Sequence, residues 1–218
     1  MKADSRKNGI IVSYKTYRKL IGIFGILLPL ICVTGGLVGG NPIQNTISNY
    51  YYTNMRDFLV GALFCVSLFL ITYRGYNRTD MTVSIASGLC AIGIAIFPCA
   101  DNPDLVVPTG VFLINSDVSN AIHIVLSAIF FFLLAFNLLF LFTGTGATGS
   151  MTGRKIKRNV IYRTSGAIIL VCLILAFIFN DGPVAQKYKL ILIFETVGLT
   201  AFGISWLIKG EAMFKDKP

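Results

Sequence analysis

Few ionisable groups lie inside the apolar stretches of this chain, and those few could do chemistry. Glu195 stands in Leu190-Ile191-Leu192-Ile193-Phe194-Glu195-Thr196-Val197, an otherwise apolar run. An ionised carboxylate facing lipid costs several kcal/mol, so Glu195 must face protein and find a partner, or be protonated. Arg56 and His123 are the partners expected at comparable depth. His123 is the only histidine. One imidazole cannot build a multi-histidine metal site or ligate haem from both sides, so its chemistry is acid/base or hydrogen bonding. Arg56-Asp57 ends the polar and aromatic stretch 44–57, which also holds Ser48 and Tyr50. With Asp101, these residues form a set of ligand-pocket candidates: Ser48, Tyr50, Arg56, Asp57, Asp101, His123 and Glu195. No metal or cofactor is expected among them.

Each also has a plainer reading. Glu195 could sit in a purely structural buried pair, and His123 could bond a neighbouring helix. Asp57, Asp117 and Asp181 stand where helix caps belong, and Asp181 precedes Gly182-Pro183, a helix-start signal. Capping is favoured for Asp117 and Asp181, while Asp57 stays open because Arg56 and the tyrosines adjoin it. Tyr50, Tyr51 and Tyr52 read most simply as an aromatic belt at a membrane interface.

The elements that must position these groups follow from composition. Hydrophobic residues make up 55% of the 218, and charged residues only 13%. A soluble domain is nearer a quarter charged. The charges cluster, leaving six apolar runs at about 20–40, 57–74, 81–98, 120–143, 161–180 and 188–208. Each has roughly the 17–25 residues that a ~30 Å hydrocarbon layer demands. The runs are continuous, which argues against alternating barrel strands. The expectation is an all-α integral membrane protein. A basic segment 1–19 precedes a six-transmembrane-helix bundle over 20–208, and a tail follows over 209–218.

The net charge of +9 does not imply nucleic acid, because the cations form no continuous basic face. They sort by segment instead. Alternate segments between the runs carry 16 Lys and Arg, and the others carry 3. This asymmetry puts both termini in the cytoplasm. It also starts the second, fourth and sixth helices at the outer face, beside the candidate pocket.

The five cysteines form no CxxC, so neither a zinc site nor a disulfide framework is expected. The stretch Gly35-Gly36-Leu37-Val38-Gly39-Gly40 holds two overlapping GxxxG pairs, which permit close helix approach or a flexible helix exit. Residues 143–150 lack the Lys-Ser/Thr ending of a phosphate loop and read as a flexible connection. Arg154-Lys155-Ile156-Lys157-Arg158 reads as a topology-setting basic cluster, with attraction to anionic lipid as a lesser role.

Several short motifs carry a resemblance. They are Ser48-x-Tyr50 ahead of Arg56-Asp57-x-x-x-Gly61, then Tyr73-Arg74-Gly75-Tyr76, Ala95-Ile96-Phe97-Pro98, and His123 opening a Phe-rich helix. Together they resemble six-helix bacterial membrane proteins of an uncharacterised domain family, and more distantly the DRAM/Sfk group. The resemblance implies a six-helix bundle and brings no activity. With the charge rule it implies the cell membrane, a bacterial inner membrane. Membrane-embedded ceramidase-type hydrolases use several metal-binding histidines and seven helices, and this chain departs from both features.

The function expected from the sequence is lipid or small-ligand binding by a membrane protein engaged in sensing or transport. Membrane lipids are its partners, and nucleic acid is not. Two alternatives remain. One is a metal-independent enzyme acting on lipid, with Asp57, His123 and Glu195 as acid/base groups. The other is a scaffold packing through its glycine faces.

Overall fold

A continuous apolar run buries nothing on one side only, so in lipid its backbone must satisfy itself as a helix. The computed structural model describes residues 2–75, 77–100, 108–144, 153–179 and 182–213. Its helices are α1 (Lys2–Val38), α2 (Arg56–Thr72), α3 (Arg78–Ile96), α4 (Ser116–Phe136), α5 (Gly153–Phe179), α6 (Pro183–Tyr188) and α7 (Leu190–Lys209). A 3-10 turn spans Ser48–Tyr52, and a π turn at Asn137–Leu141 continues α4. Strands β1 (Pro108–Thr109) and β2 (Ile114–Asn115) pair as a minimal antiparallel hairpin ahead of α4. Among the described residues, five segments are long and apolar enough to cross a membrane: Tyr14–Val38, Arg78–Ile96, Ser116–Leu141, Gly153–Phe179 and Leu190–Lys209.

Each long helix packs on its sequence neighbours, and α7 closes the ring against α1. The α1–α7 contact is antiparallel, with Gly22 and Gly25 facing Gly203 and Phe202, and Lys15 and Lys19 facing Gly210. A Cβ on either Gly22 or Gly203 would lie 2.6 Å from the other residue's carbonyl oxygen. The two backbones touch there with nothing between them. The GxxxG pairs of α1 do something else. Gly35 accepts the Met55 side chain and Gly36 the Tyr50 ring, so they seat the connecting segment rather than a second helix.

Start signals also resolve differently from the sequence expectation. Asn115, not Asp117, caps α4, its side chain accepting from the Asp117 N–H at 2.8 Å. Gly182-Pro183 opens the short α6 rather than the long α7. The single left-handed residue Lys189, with φ +53°, then separates α6 from α7. Asp181 lies outside the described residues.

The ring has two ends of different character. At one, Lys15 pairs with Glu211 at 2.6 Å, and Arg18 donates to the Lys209 carbonyl. Arg18 lies over the Tyr14 ring, and Lys209 over Phe142. Tyr73 and Phe142 flank Trp206, which is fully buried. Both cations are thus held by π faces and carbonyls, as interior cations require. At the other end, segment 41–55 meets the residues after α3 and the start of α7. Asn49 donates to the Ala100 carbonyl, and the Leu192 N–H donates to the Asn45 carbonyl at 3.0 Å.

Gly203→Ala forces the α1 and α7 backbones apart and is expected to cost about 1–3 kcal/mol, the range for overpacking. Gly61→Ala, where an added Cβ meets nothing within 4 Å, is expected to be neutral or to stabilise by up to about 1 kcal/mol. Thermal unfolding of both variants in detergent measures the difference.

Candidate functional site

At the polar end, α4, α5 and α7 diverge enough to leave a cavity of about 270 Å³. Segment 44–49 roofs it with Asn45, Thr46, Ser48 and Asn49. Asn120, His123 and Ser127 of α4 and Glu195 of α7 add further polar groups, with Gln186 of α6. The remaining wall is apolar: Ile124, Ala128 and Phe131 of α4, Leu173, Ala176 and Phe177 of α5, and Ile191 and Phe194 of α7. Ile124 and Phe177 are also largely exposed on the outside of the bundle, at 46% and 64%. The apolar part of the cavity therefore reaches the outer surface of the helix ring.

Glu195 anchors the roof. Its Oε2 accepts the Ile47 backbone N–H at 2.6 Å. A loop amide near the apolar interior needs an acceptor, and a carboxylate within an apolar helix needs donors. Each answers the other. Lys189 adds a second tie, donating to Asn45 Oδ1 at 2.6 Å. Within the segment, Thr46 Oγ1 accepts the Asn49 N–H at 3.0 Å, and the Thr53 hydroxyl donates to the Tyr50 carbonyl.

His123 is buried, and both ring nitrogens are engaged. Nδ1 lies 2.7 Å from the Phe97 carbonyl oxygen, and Nε2 lies 3.0 Å from Ser48 Oγ. A carbonyl only accepts, so Nδ1 carries hydrogen. In the neutral ring Nε2 is then an acceptor, and the Ser48 hydroxyl donates to it. The Phe97 carbonyl is placed by the end of α3, whose exit is tied to α4. Ser119 donates to the Pro98 carbonyl, and Asn120 Oδ1 accepts the Ala100 N–H at 3.1 Å.

The structure brings together Ser48, His123 and Glu195 of the residues singled out from sequence. The others lie elsewhere or outside the described residues. Tyr50 is fully buried with its ring against Gly36, and burial pushes its phenol up from the ordinary range. Arg56 is exposed. It bonds the Tyr51 carbonyl at 2.8 Å and lies over the Tyr51 ring, away from the cavity lining. Asp57 is exposed in the first turn of α2. Asp101 lies outside the described residues. The Tyr52 hydroxyl donates to the Cys99 carbonyl at 2.5 Å, so Tyr52 ties two connecting segments together. Among the described residues no three His, Cys, Asp or Glu side chains converge as a metal site would require.

Sequence reasoning missed Asn45, Asn120 and the Phe97 carbonyl. Asn120 carried a readable signal, because it precedes His123 by three residues and shares its helix face. The Phe97 carbonyl carried none, since a backbone acceptor has no residue type.

Glu195→Ala leaves the Ile47 N–H without its acceptor and is expected to cost about 1–3 kcal/mol. Glu195→Gln keeps an acceptor oxygen and is expected to cost less than half as much. Denaturant or thermal midpoints of the two variants in the same detergent test this ranking. Compared with known proteins, the chain matches no family model, no curated protein and no solved structure.

Proposed function

We infer that this is a six-span membrane protein whose cavity takes up the polar end of a lipid or a small amphiphile, with sensing or transport as its role. The observation that carries this reading is the cavity's division. Hydrogen-bonding groups gather under the 44–49 roof, while an apolar wall leads to Ile124 and Phe177 on the exterior. Small-molecule sites are commonly apolar with a few fixed polar groups, and most are about 300–1,000 Å³. At about 270 Å³ this cavity suits one end of a lipid, with the rest of its chain lying along α4 and α5.

The sixth span in this reading is α2. Its 17 residues reach about 26 Å at 1.5 Å per residue, close to the hydrocarbon thickness of about 30 Å. The end bearing Lys15, Arg18 and Lys209 is cytoplasmic. The cation asymmetry of 16 to 3 favours that orientation, and it puts the cavity in the outer leaflet. A bacterial inner membrane fits the charge rule.

Two outcomes test this account. In a background freed of native cysteines, Tyr51→Cys is expected to react with a membrane-impermeant maleimide from outside the cell, and Lys155→Cys only after permeabilisation. The reverse pattern contradicts the orientation. Purified wild-type protein is expected to show a raised melting temperature with a monoacyl amphiphile such as a lysophospholipid. Ala176→Trp, which fills the apolar part of the cavity, should abolish that shift while leaving the ligand-free fold intact. An equal shift in both proteins contradicts the pocket.

A further inference from the structure

We propose that Ser48 is a nucleophile activated by His123, and that the cavity catalyses acyl transfer from a lipid carboxylic ester to water. This rests on the reading of the cavity as an amphiphile site and adds a reaction to it. Three features of the geometry support it.

The first is the hydrogen-bond chain Ser48 Oγ–His123 Nε2–His123 Nδ1–Phe97 O, with outer distances of 3.0 and 2.7 Å. A serine hydroxyl is a weak nucleophile until a base accepts its proton, and the base works only in the correct tautomer. Here the Phe97 carbonyl holds the proton on Nδ1, which leaves the Nε2 lone pair for Ser48. The second is location. Ser48 and His123 both line the cavity, Ser48 from the polar roof and His123 next to Ile124 of the apolar wall on α4, which sets a boundary between the two. An ester carbonyl of a lipid occupies that boundary, because its acyl chain is apolar and its alcohol part polar. The third is the donor beside them. Asn120 lines the cavity one helical turn before His123, and with its Oδ1 accepting the Ala100 N–H its amide nitrogen is left as the donor end. Such a donor suits the negative oxygen of a tetrahedral intermediate. Glu195 is a positioning residue here. It holds the Ile47 N–H and so fixes the residue before Ser48.

The step balances without a metal or redox partner. Ser48 Oγ bonds to the ester carbonyl carbon as its proton passes to His123 Nε2. The ester C–O bond breaks, and the leaving alkoxide takes that proton and departs as an alcohol. Water then attacks the acyl-serine and gives a proton to Nε2. The acyl–Oγ bond breaks, Oγ recovers the proton, and the acyl group leaves as a carboxylic acid.

An alkyl fluorophosphonate with a long apolar chain tests this on the intact protein in detergent. Mass spectrometry of the digested product is expected to find the adduct on Ser48 in the wild type. His123→Gln should label about 100-fold more slowly or worse, the low end of general-base contributions. Ser48→Ala should lose the adduct. Ser48→Cys, labelled instead by an apolar iodoacetamide in a background free of the other cysteines, covers the case in which the alanine variant does not fold. It should react faster with His123 present than with His123→Gln. A wild-type protein that shows the melting shift but no adduct on Ser48 overturns the nucleophile and leaves the binding reading standing. Loss of both the shift and the adduct overturns the two together. An adduct formed equally fast with and without His123 overturns the activation.

Discussion

A carboxylate carried on an apolar helix cannot be left to lipid, and the way Glu195 finds its donor shapes one whole end of this molecule. One donor is a backbone N–H, that of Ile47, and a backbone donor brings its chain with it. Segment 41–55 is therefore drawn over the end of the ring instead of standing off in solvent. Once Ile47 is held, Ser48 falls beside His123 and Tyr50 falls into the notch at Gly36. Met55 drops against Gly35 by the same route. The polar roof of the cavity is held by this bond together with those from Lys189 and the Leu192 N–H to Asn45.

The opposite end solves a related problem with cations. Arg18 is 6% exposed and lies between aromatic rings, donating to a carbonyl. Lys209 spreads its contacts over Phe142, Tyr162 and the Phe142 carbonyl. Trp206 sits in the middle of these rings, in contact with Tyr73, Phe142 and Phe202. This end is filled, whereas the other encloses space. Between them, the Gly22–Gly203 contact brings α1 and α7 together and closes the ring. The closed ring gives Glu195 on α7 a fixed position relative to the segment that leaves α1.

Much of the architecture was legible because continuous apolarity has only one backbone solution in lipid. The helices follow the apolar runs, and basic segments extend α1 back to Lys2 and α5 back to Gly153. Glu195 was legible as a residue that must be paired, but its partner was not, since Ile47 contributes only an N–H. Arg56 looked like the natural counter-ion. It is instead satisfied locally by Tyr51, five residues earlier, through the 3-10 turn. Of the two readings of the 35–40 glycines, the helix exit holds, since α1 ends at Val38 and Gly40 has φ +80°, whereas the close approach is made by side chains and not by a second helix. GxxxG marks a smooth helix face, and any bulky group can use such a face, here Met55 and Tyr50. Gly22 and Gly203 meet without any such spacing within either helix. The Ser48–His123 pair joins residues 75 apart, and no local pattern announces a contact of that kind. Asn115 rather than Asp117 caps α4 because a cap lies just outside the first helical turn, and two acceptors so close in sequence cannot be ranked by type.

The placing of Ser48 at the polar end turns on the Ile47 N–H being held by Glu195. Residue-resolved amide hydrogen exchange reads that bond directly. The account predicts strong protection of the Ile47 amide in the wild-type protein. It also predicts much faster exchange at Ile47 in Glu195→Ala, with the amides of α1 and α3 unchanged. An Ile47 amide that exchanges like open loop in the wild type, or that keeps its protection in Glu195→Ala, would contradict it.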